Sequence, residues 1–201
     1  MGMHIGLIVA ETSVEALKDA FLAQCPHLEV VATKDDFGSI DDVWAWREAN
    51  SQFVSAADWS KDNPGKTVYL FWQDLTWAML LDSEYVYASD GDLLARLSQQ
   101  FNRTLSFVVE SAGGCASFWC YDNGTQLRQI NYFDGEVELA GQPLAEEEGI
   151  DVNNYYMDET EALWRAFGID PVKCLQSSKE CLAISVIDRT DYSRDDDDLE
   201  S

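Results

Sequence analysis

A net charge of -24 on 201 residues, from 37 Asp and Glu against 13 Lys and Arg, argues against nucleic acid and anionic membranes as partners. Hydrophobic residues make up 46% of the chain, which excludes a disordered protein and is enough for a core. The acidic excess therefore indicates either a surface that attracts basic proteins or plain solubility.

The sequence predicts a cytoplasmic protein with reduced thiols. No segment is long enough to span a membrane, and the apolar run at residues 5–10 lacks the basic region of a signal peptide. The five cysteines are odd in number and form no Cys-x-x-Cys pair, so a disulfide framework is not expected.

The first part of the chain alternates predicted strands and helices. Residues 3–10 predict a buried strand, and Thr12 begins a capping-box pattern for a helix that ends near Gln24. Residues 28–33 predict a second strand, and Ser39 is expected to cap a second helix.

A hairpin, a helix and a meander follow. The hairpin is expected at residues 66–73 and 76–82, and the helix within residues 89–101, with Ser89 or Asp90 as its cap. The meander is expected to turn at Gly113-Gly114, Asn123-Gly124 and Asp134-Gly135. Asn-Gly and Asp-Gly favour two-residue type I′ turns, in which both residues take positive φ, so at least four antiparallel strands are predicted.

The end of the chain completes the predicted architecture. Asp158 is expected to cap a helix that ends at Gly168, and residues 180–188 predict a last strand. We therefore predict an α+β fold, with an antiparallel sheet meander and helices packed on one side. Residues 1–190 are expected to form a single domain, with a subdivision near 60–66 left open, and residues 191–201 an acidic disordered tail.

A group of residues within about 67–167 resembles a known class of proteins. The pieces are Trp77 after the hairpin, Leu97-Ser98 at a helix end, Arg128 in the meander, and Gly141, Pro143, Leu144 and Glu147 after it. In this order they resemble small cytoplasmic bacterial proteins of the polymorphic-toxin immunity families and their uncharacterised relatives. The resemblance implies a protein that binds and blocks a toxin, and it implies no cofactor.

The sequence offers few groups for catalysis. His4 and His27 are the only histidines, and no nucleophile-elbow motif is present. No residue spacing fits a zinc site, a calcium loop or a phosphate-binding loop, so neither a metal nor a cofactor is expected. A carboxylate-based hydrolase stays open, because 37 acidic residues make some close pair unavoidable.

Residues 141–163, called the acidic segment below, contain many carboxylates and no Lys or Arg. Carboxylates speed the encounter with a basic partner, and aromatic side chains provide buried anchors at interfaces. The predicted partner-binding residues are Glu146, Glu147, Glu148, Asp151, Tyr155, Tyr156, Asp158 and Glu159, with Trp46 and Trp59 as further anchors. The alternative is that Tyr155 and Tyr156 only attach the segment to the sheet.

Three functions are compatible with these features. The first is a non-catalytic immunity protein that neutralises a cognate intracellular toxin, such as a basic nuclease. The second is a general acidic adaptor protein, and the third is a carboxylate-based hydrolase. The hydrolase predicts a deep cleft lined by acids with raised pKa values, whereas a shallow acidic face favours the first two.

Overall fold

The computed structural model describes residues 4–55, 60 and 63–190, and the predicted acidic tail at 191–201 lies outside these ranges. The described chain contains nine strands: β1 (His4–Ala10), β2 (Leu28–Lys34), β3 (Thr67–Asp74), β4 (Trp77–Leu81), β5 (Arg103–Glu110), β6 (Cys115–Asp122), β7 (Thr125–Phe133), β8 (Glu136–Gly141) and β9 (Leu182–Asp188). Its helices are α1 (Val14–Gln24), α2 (Ile40–Asn50), α3 (Gly91–Phe101), α4 (Met157–Phe167) and α5 (Pro171–Leu175).

All nine strands belong to one antiparallel sheet, which confirms the predicted α+β fold. Their order across the sheet is β2-β9-β3-β4-β1-β5-β6-β7-β8. The first strand lies near the middle, between β4 and β5, and the last strand pairs with β2 and β3. Strands from both sides of residues 60–66 therefore share the same sheet.

Helices cover both faces of the sheet, so the predicted placement on one side is wrong. Leu7 and Val9 of β1 join one core with α2, α4 and α5, whereas Ile8 and Ala10 join a second core with α1 and α3. Successive side chains of a strand point to opposite faces. Because β1 is an almost unbroken apolar run, both of its faces need a cover.

Two helix starts also differ from the prediction. Ser13, and not Thr12, caps α1, because its hydroxyl accepts a hydrogen bond from the N–H of Ala16 at 3.3 Å. Helix α4 begins directly after Tyr156, two residues before the start that a cap at Asp158 predicts. Asp158 therefore lies in the first turn instead of capping it. None of the described helices is long and apolar enough to cross a membrane.

The predicted two-residue hairpin turns are confirmed. Asn123 and Gly124 have φ values of 48° and 83°, and Asp134 and Gly135 have φ values of 50° and 84°. The N–H of Gly124 also donates to the hydroxyl of Ser98 at 2.8 Å, which ties the first turn to α3. The geometry of these turns therefore fixes the register of the meander strands, and the contact with α3 holds the first turn in place.

Two glycines with nearly equal φ values allow a matched test of the end of β8. We expect Gly135→Ala to reduce the free energy of unfolding by about 1 kcal/mol, because alanine disfavours φ of 84°. Gly141→Ala should cost about 3 kcal/mol or more, because its Cβ would lie 1.9 Å from the carbonyl oxygen of Leu127. Urea denaturation of both variants measures the difference, and equal losses would contradict this geometry.

Candidate binding surface

A buried ion pair attaches the acidic segment to the meander. Arg128 donates from Nε to Oε1 of Glu147 and from Nη2 to Oε2, both at 2.9 Å. The two side chains are only 3% and 5% exposed. Such a bidentate pair between arginine and a carboxylate fixes geometry as well as charge.

The remaining hydrogen-bonding groups of this pair are occupied by nearby backbone. Arg128 Nη1 donates to the carbonyl oxygens of Ala140 and Gly141 at 3.4 and 3.3 Å, and the N–H of Leu144 donates to Glu147 Oε1 at 2.9 Å. Arg128, Gly141, Leu144 and Glu147, which carry the sequence resemblance, therefore meet at one structural joint. Their roles here are to shape and hold the segment.

Glu147 and Tyr155 do not belong to an exposed surface, which corrects two of the predicted partner-binding residues. Glu147 is enclosed with Arg128, and Tyr155 is 0% exposed within the core below the segment. Burial raises the pKa of the Tyr155 hydroxyl. Burial of the apolar ring of Tyr155 in the core is more favourable than its exposure to solvent, so this side chain attaches the segment to the sheet.

Tyr156 is half-buried and also holds the segment against the meander. Its ring packs on that of Tyr132, with centroids 5.1 Å apart, and its hydroxyl donates to the carbonyl oxygen of Ser111 at 3.3 Å. Its own N–H donates to Glu159 Oε2 at 3.2 Å. The alternative interpretation of the two tyrosines, as attachments of the segment, is the one that these contacts favour.

Part of the predicted acidic surface is exposed as expected. Its exposed members are Glu148, Asp151 and Asp158. Glu146 is half-buried and accepts a hydrogen bond from Arg103 Nη1 at 3.2 Å, which is a partly solvated ion pair. The three glutamates at 146–148 therefore lie in three different environments. Glu146 is partly solvated and paired, Glu147 is buried, and Glu148 is exposed to solvent.

The two predicted tryptophan anchors have different outcomes. Trp46 is half-buried and packs against the core, where its ring meets that of Phe37 edge-on at 6.2 Å. Most of its role is thus structural, and its partner contact stays a prediction. Trp59 lies outside the described residues.

Residues 104–164, called the meander half below, have an extreme charge balance. Residues 104–164 contain twelve Asp and Glu, and Arg128 is their only basic residue. Because Arg128 is buried and paired with Glu147, it contributes no positive charge to the surface. The cations nearest to this surface are the flanking residues Arg103 and Arg165, which pair with Glu146 and Glu161, so carboxylates remain in excess.

A second exposed surface of the meander was missed by the sequence reasoning. Its residues, called the open face below, lie on the side of β6, β7 and β8 away from the acidic segment: Cys115, Ser117, Trp119, Gln129, Asn131, Phe133, Glu136 and Glu138. Most of them line a shallow cleft of about 460 Å³. The alternation of acidic and apolar residues in "EVEL", at 136–139, was the signal that could have revealed this face.

Both histidines take part in hydrogen bonds. His4 Nδ1 contacts the carboxylate of Glu110, and its Nε2 donates to the carbonyl oxygen of Ser83 at 3.1 Å. His27 Nε2 bonds the hydroxyl of Tyr87 at 2.9 Å. Both nitrogens of His4 therefore face acceptors, and the ring links the start of β1 to Glu110 and Ser83.

The carboxyl group of Asp82 has the raised pKa that an acid catalyst needs, but it has no access to solvent. Burial raises the pKa of Asp82, which is fully buried and accepts hydrogen bonds from the backbone N–H groups of Glu84, Tyr87 and Ala88. This carboxyl shapes the loop before α3. Within the described chain, no group of three His, Cys, Asp or Glu side chains could hold a metal ion.

The five cysteines are free thiols, and four of them are buried. Burial raises the pKa of Cys25 to about 11 and the pKa of Cys120, Cys174 and Cys181 to about 12. Cys115 is only partly buried and lies on the open face, where desolvation and then Glu110 raise its pKa. The thiolate is the reactive form, so none of the five resembles an activated nucleophile.

No family model matches this chain, and no curated protein or solved structure is similar enough to match it.

Thiol chemistry tests this arrangement. In the folded protein at pH 8, a disulfide reagent such as DTNB should modify Cys115 first, and the other four cysteines should react only on unfolding. A Cys115→Ser variant should lose the early phase. Two or more thiols that react at the early rate in the folded wild type would contradict the burial described above.

The two neighbouring ion pairs provide a second matched test. Glu147→Ala should lower the free energy of unfolding by about 3–5 kcal/mol, because it leaves Arg128 buried without a counter-charge. Glu146→Ala removes a partly solvated pair and should cost about 0–1 kcal/mol. Urea titrations measure both values, and a similar loss for the two variants would show that Arg128 has another partner.

Proposed function

We propose that this protein is a non-catalytic acidic binding protein for a basic protein partner, and that it acts as an immunity protein against an intracellular toxin. The observation that carries the proposal is the unbalanced charge of residues 104–164, whose only basic residue is buried with Glu147. A surface with an excess of carboxylates attracts a basic protein over a distance of about 8 Å at physiological salt. It therefore favours fast encounter and correct orientation.

A toxin that acts on nucleic acid suits this surface best. Such an enzyme needs a cationic groove to hold phosphates. Of the exposed carboxylates of the acidic segment, Glu148 follows the buried Glu147 directly, Asp151 lies three residues further on, and Asp158 lies in the first turn of α4. Fixed anionic groups attract such a groove and orient it during the encounter.

The described residues give less support to a hydrolase. A carboxylate enzyme needs a raised-pKa acid at the wall of a cleft, but Asp82 is closed off from solvent by the loop that it caps. The cleft on the open face is shallow and has Glu136 and Glu138 on its exposed margin. A general adaptor shares the physics of an immunity protein and differs from it in the partner.

Coexpression tests the proposal directly. Each gene that flanks the coding sequence is expressed alone and together with this chain, and survival is measured. We expect one flanking gene to be toxic alone and tolerated in the presence of the chain. The absence of any rescued toxic gene would contradict the immunity role, and capture of a harmless basic protein would favour an adaptor.

A charge-reversal variant shows whether the acidic segment contributes to rescue. Glu148→Lys, Asp151→Lys and Asp158→Lys are combined, because these positions are exposed and their reversal leaves the buried pair intact. The control combines Glu11→Lys, Asp35→Lys and Glu48→Lys, three exposed positions outside the meander half with the same change in net charge. Association with the partner should slow at least about tenfold for the first variant and much less for the control, and the difference should shrink as salt rises.

A further inference from the structure

The open face is a part of the sheet that the described helices leave uncovered. On this side, α3 packs across β5 and β6 and ends at the Asn123-Gly124 turn, where Ser98 accepts the N–H of Gly124. Gly91, at the start of α3, lies close to the rings of Trp119 and Tyr121. Beyond this point, the side chains of β7 and β8 on this face are half-buried or exposed.

Two aromatic side chains lie on the open face. Phe133 is 68% exposed, and it is the last residue of β7 before the Asp134-Gly135 turn. Trp119 is half-buried, and its indole N–H donates to Oδ1 of Asn131 at 2.9 Å. The hydrogen bond holds the indole ring in one orientation, so the face offers a rigid aromatic floor with an exposed ring at its margin.

Carboxylates border these rings on two sides. Glu136 and Glu138 are exposed on β8, and Asp90 and Asp92 flank Gly91 at the start of α3. Of these carboxylates, Glu136 and Glu138 line the cleft, and its lining residues include no Lys or Arg. A cation that enters the cleft would meet these two glutamates beside aromatic rings, which is the combination that binds ammonium and guanidinium groups.

We propose that the open face is the docking site of the basic partner and that it receives an arginine- or lysine-bearing segment of that protein. The cationic side chain lies against Phe133 and Trp119, with its charge toward Glu136 and Glu138. This inference rests on the proposed function and adds to it the face on which contact is made. The acidic segment, on the opposite side of the meander, then acts through long-range attraction.

The choice of a cationic protein segment follows from charge complementarity. A second copy of this chain is disfavoured, because both copies would bring the same carboxylates to the contact and carry a net charge of -24 each. A nucleic acid is disfavoured for the same reason. Guanidinium groups also stack on aromatic rings and form two parallel hydrogen bonds with a carboxylate, so an arginine fits the open face best.

An octa-arginine peptide serves as the probe for this site, and octa-glutamate serves as the negative control. The full-length protein, labelled with ¹⁵N, is titrated at low salt, and the Trp119 indole signal is assigned with a Trp119→Phe variant. We expect saturable shifts of the Trp119 indole N–H and the Asn131 side-chain amide. Shifts confined to residues 148–158 would overturn the inference, although acidic binding as such would stand.

Matched substitutions separate the open face from general charge. Glu136→Gln with Glu138→Gln should weaken peptide binding about tenfold, whereas Glu148→Gln with Asp151→Asn, which removes the same charge from the acidic segment, should weaken it less than about threefold. Equal effects would show that only total charge matters and would overturn the inference. Thermal melts confirm that each exposed variant is folded.

The aromatic contribution has its own matched pair. Phe133→Ala should weaken binding about fivefold or more, whereas Leu139→Ala, which truncates a 44% exposed side chain on the opposite face of the meander, should leave it unchanged. The same two variants are then tested for rescue of the toxic gene. Normal rescue by Phe133→Ala would overturn the open face as the docking site, whereas failure of the wild type to rescue any gene would overturn the proposed function alone.

Discussion

The buried pair of Arg128 and Glu147 is the interaction on which the surface of this protein depends. It ties the acidic segment to the meander at 2.9 Å through two parallel hydrogen bonds. It also removes the only cation of residues 104–164 from solvent. A buried ion pair is weak evidence for added stability, because desolvation offsets most of the attraction between the charges. Its consequence here is geometric and electrostatic, since it fixes a long loop and keeps the charge of Arg128 away from the outer carboxylates.

The two faces of the meander are covered differently. The acidic segment and α4 cover one face, where Tyr155 and Trp164 complete a core. The other face is covered near α3 and left open beyond Trp119. A sheet face that carries an exposed phenylalanine and two glutamates is poorly suited to pack on its own chain. It is well suited to a partner whose charge is opposite and whose side chains can lie flat on aromatic rings.

Local signals in the sequence were sufficient where the physics is local. The Asn123-Gly124 and Asp134-Gly135 turns follow from the positive φ that their residues tolerate, and the helix after Asp90 follows from its cap and apolar spacing. The cap of α1 was misplaced by one residue, because Thr12 and Ser13 are both good capping residues. The burial of both sheet faces was missed, although the unbroken apolar run in β1 was a signal for it.

The candidate surface shows where sequence reasoning ends. Composition and spacing determined that the meander half is acidic and that few catalytic groups exist, because charge and residue type are properties of the chain itself. Only the tertiary structure decided that Glu147 is buried while Glu148 is exposed, since the two are neighbours in sequence and differ in whether Arg128 lies within reach. The same holds for Phe133, because it lies at the end of β7 beyond the start of α3, which is placed near Trp119.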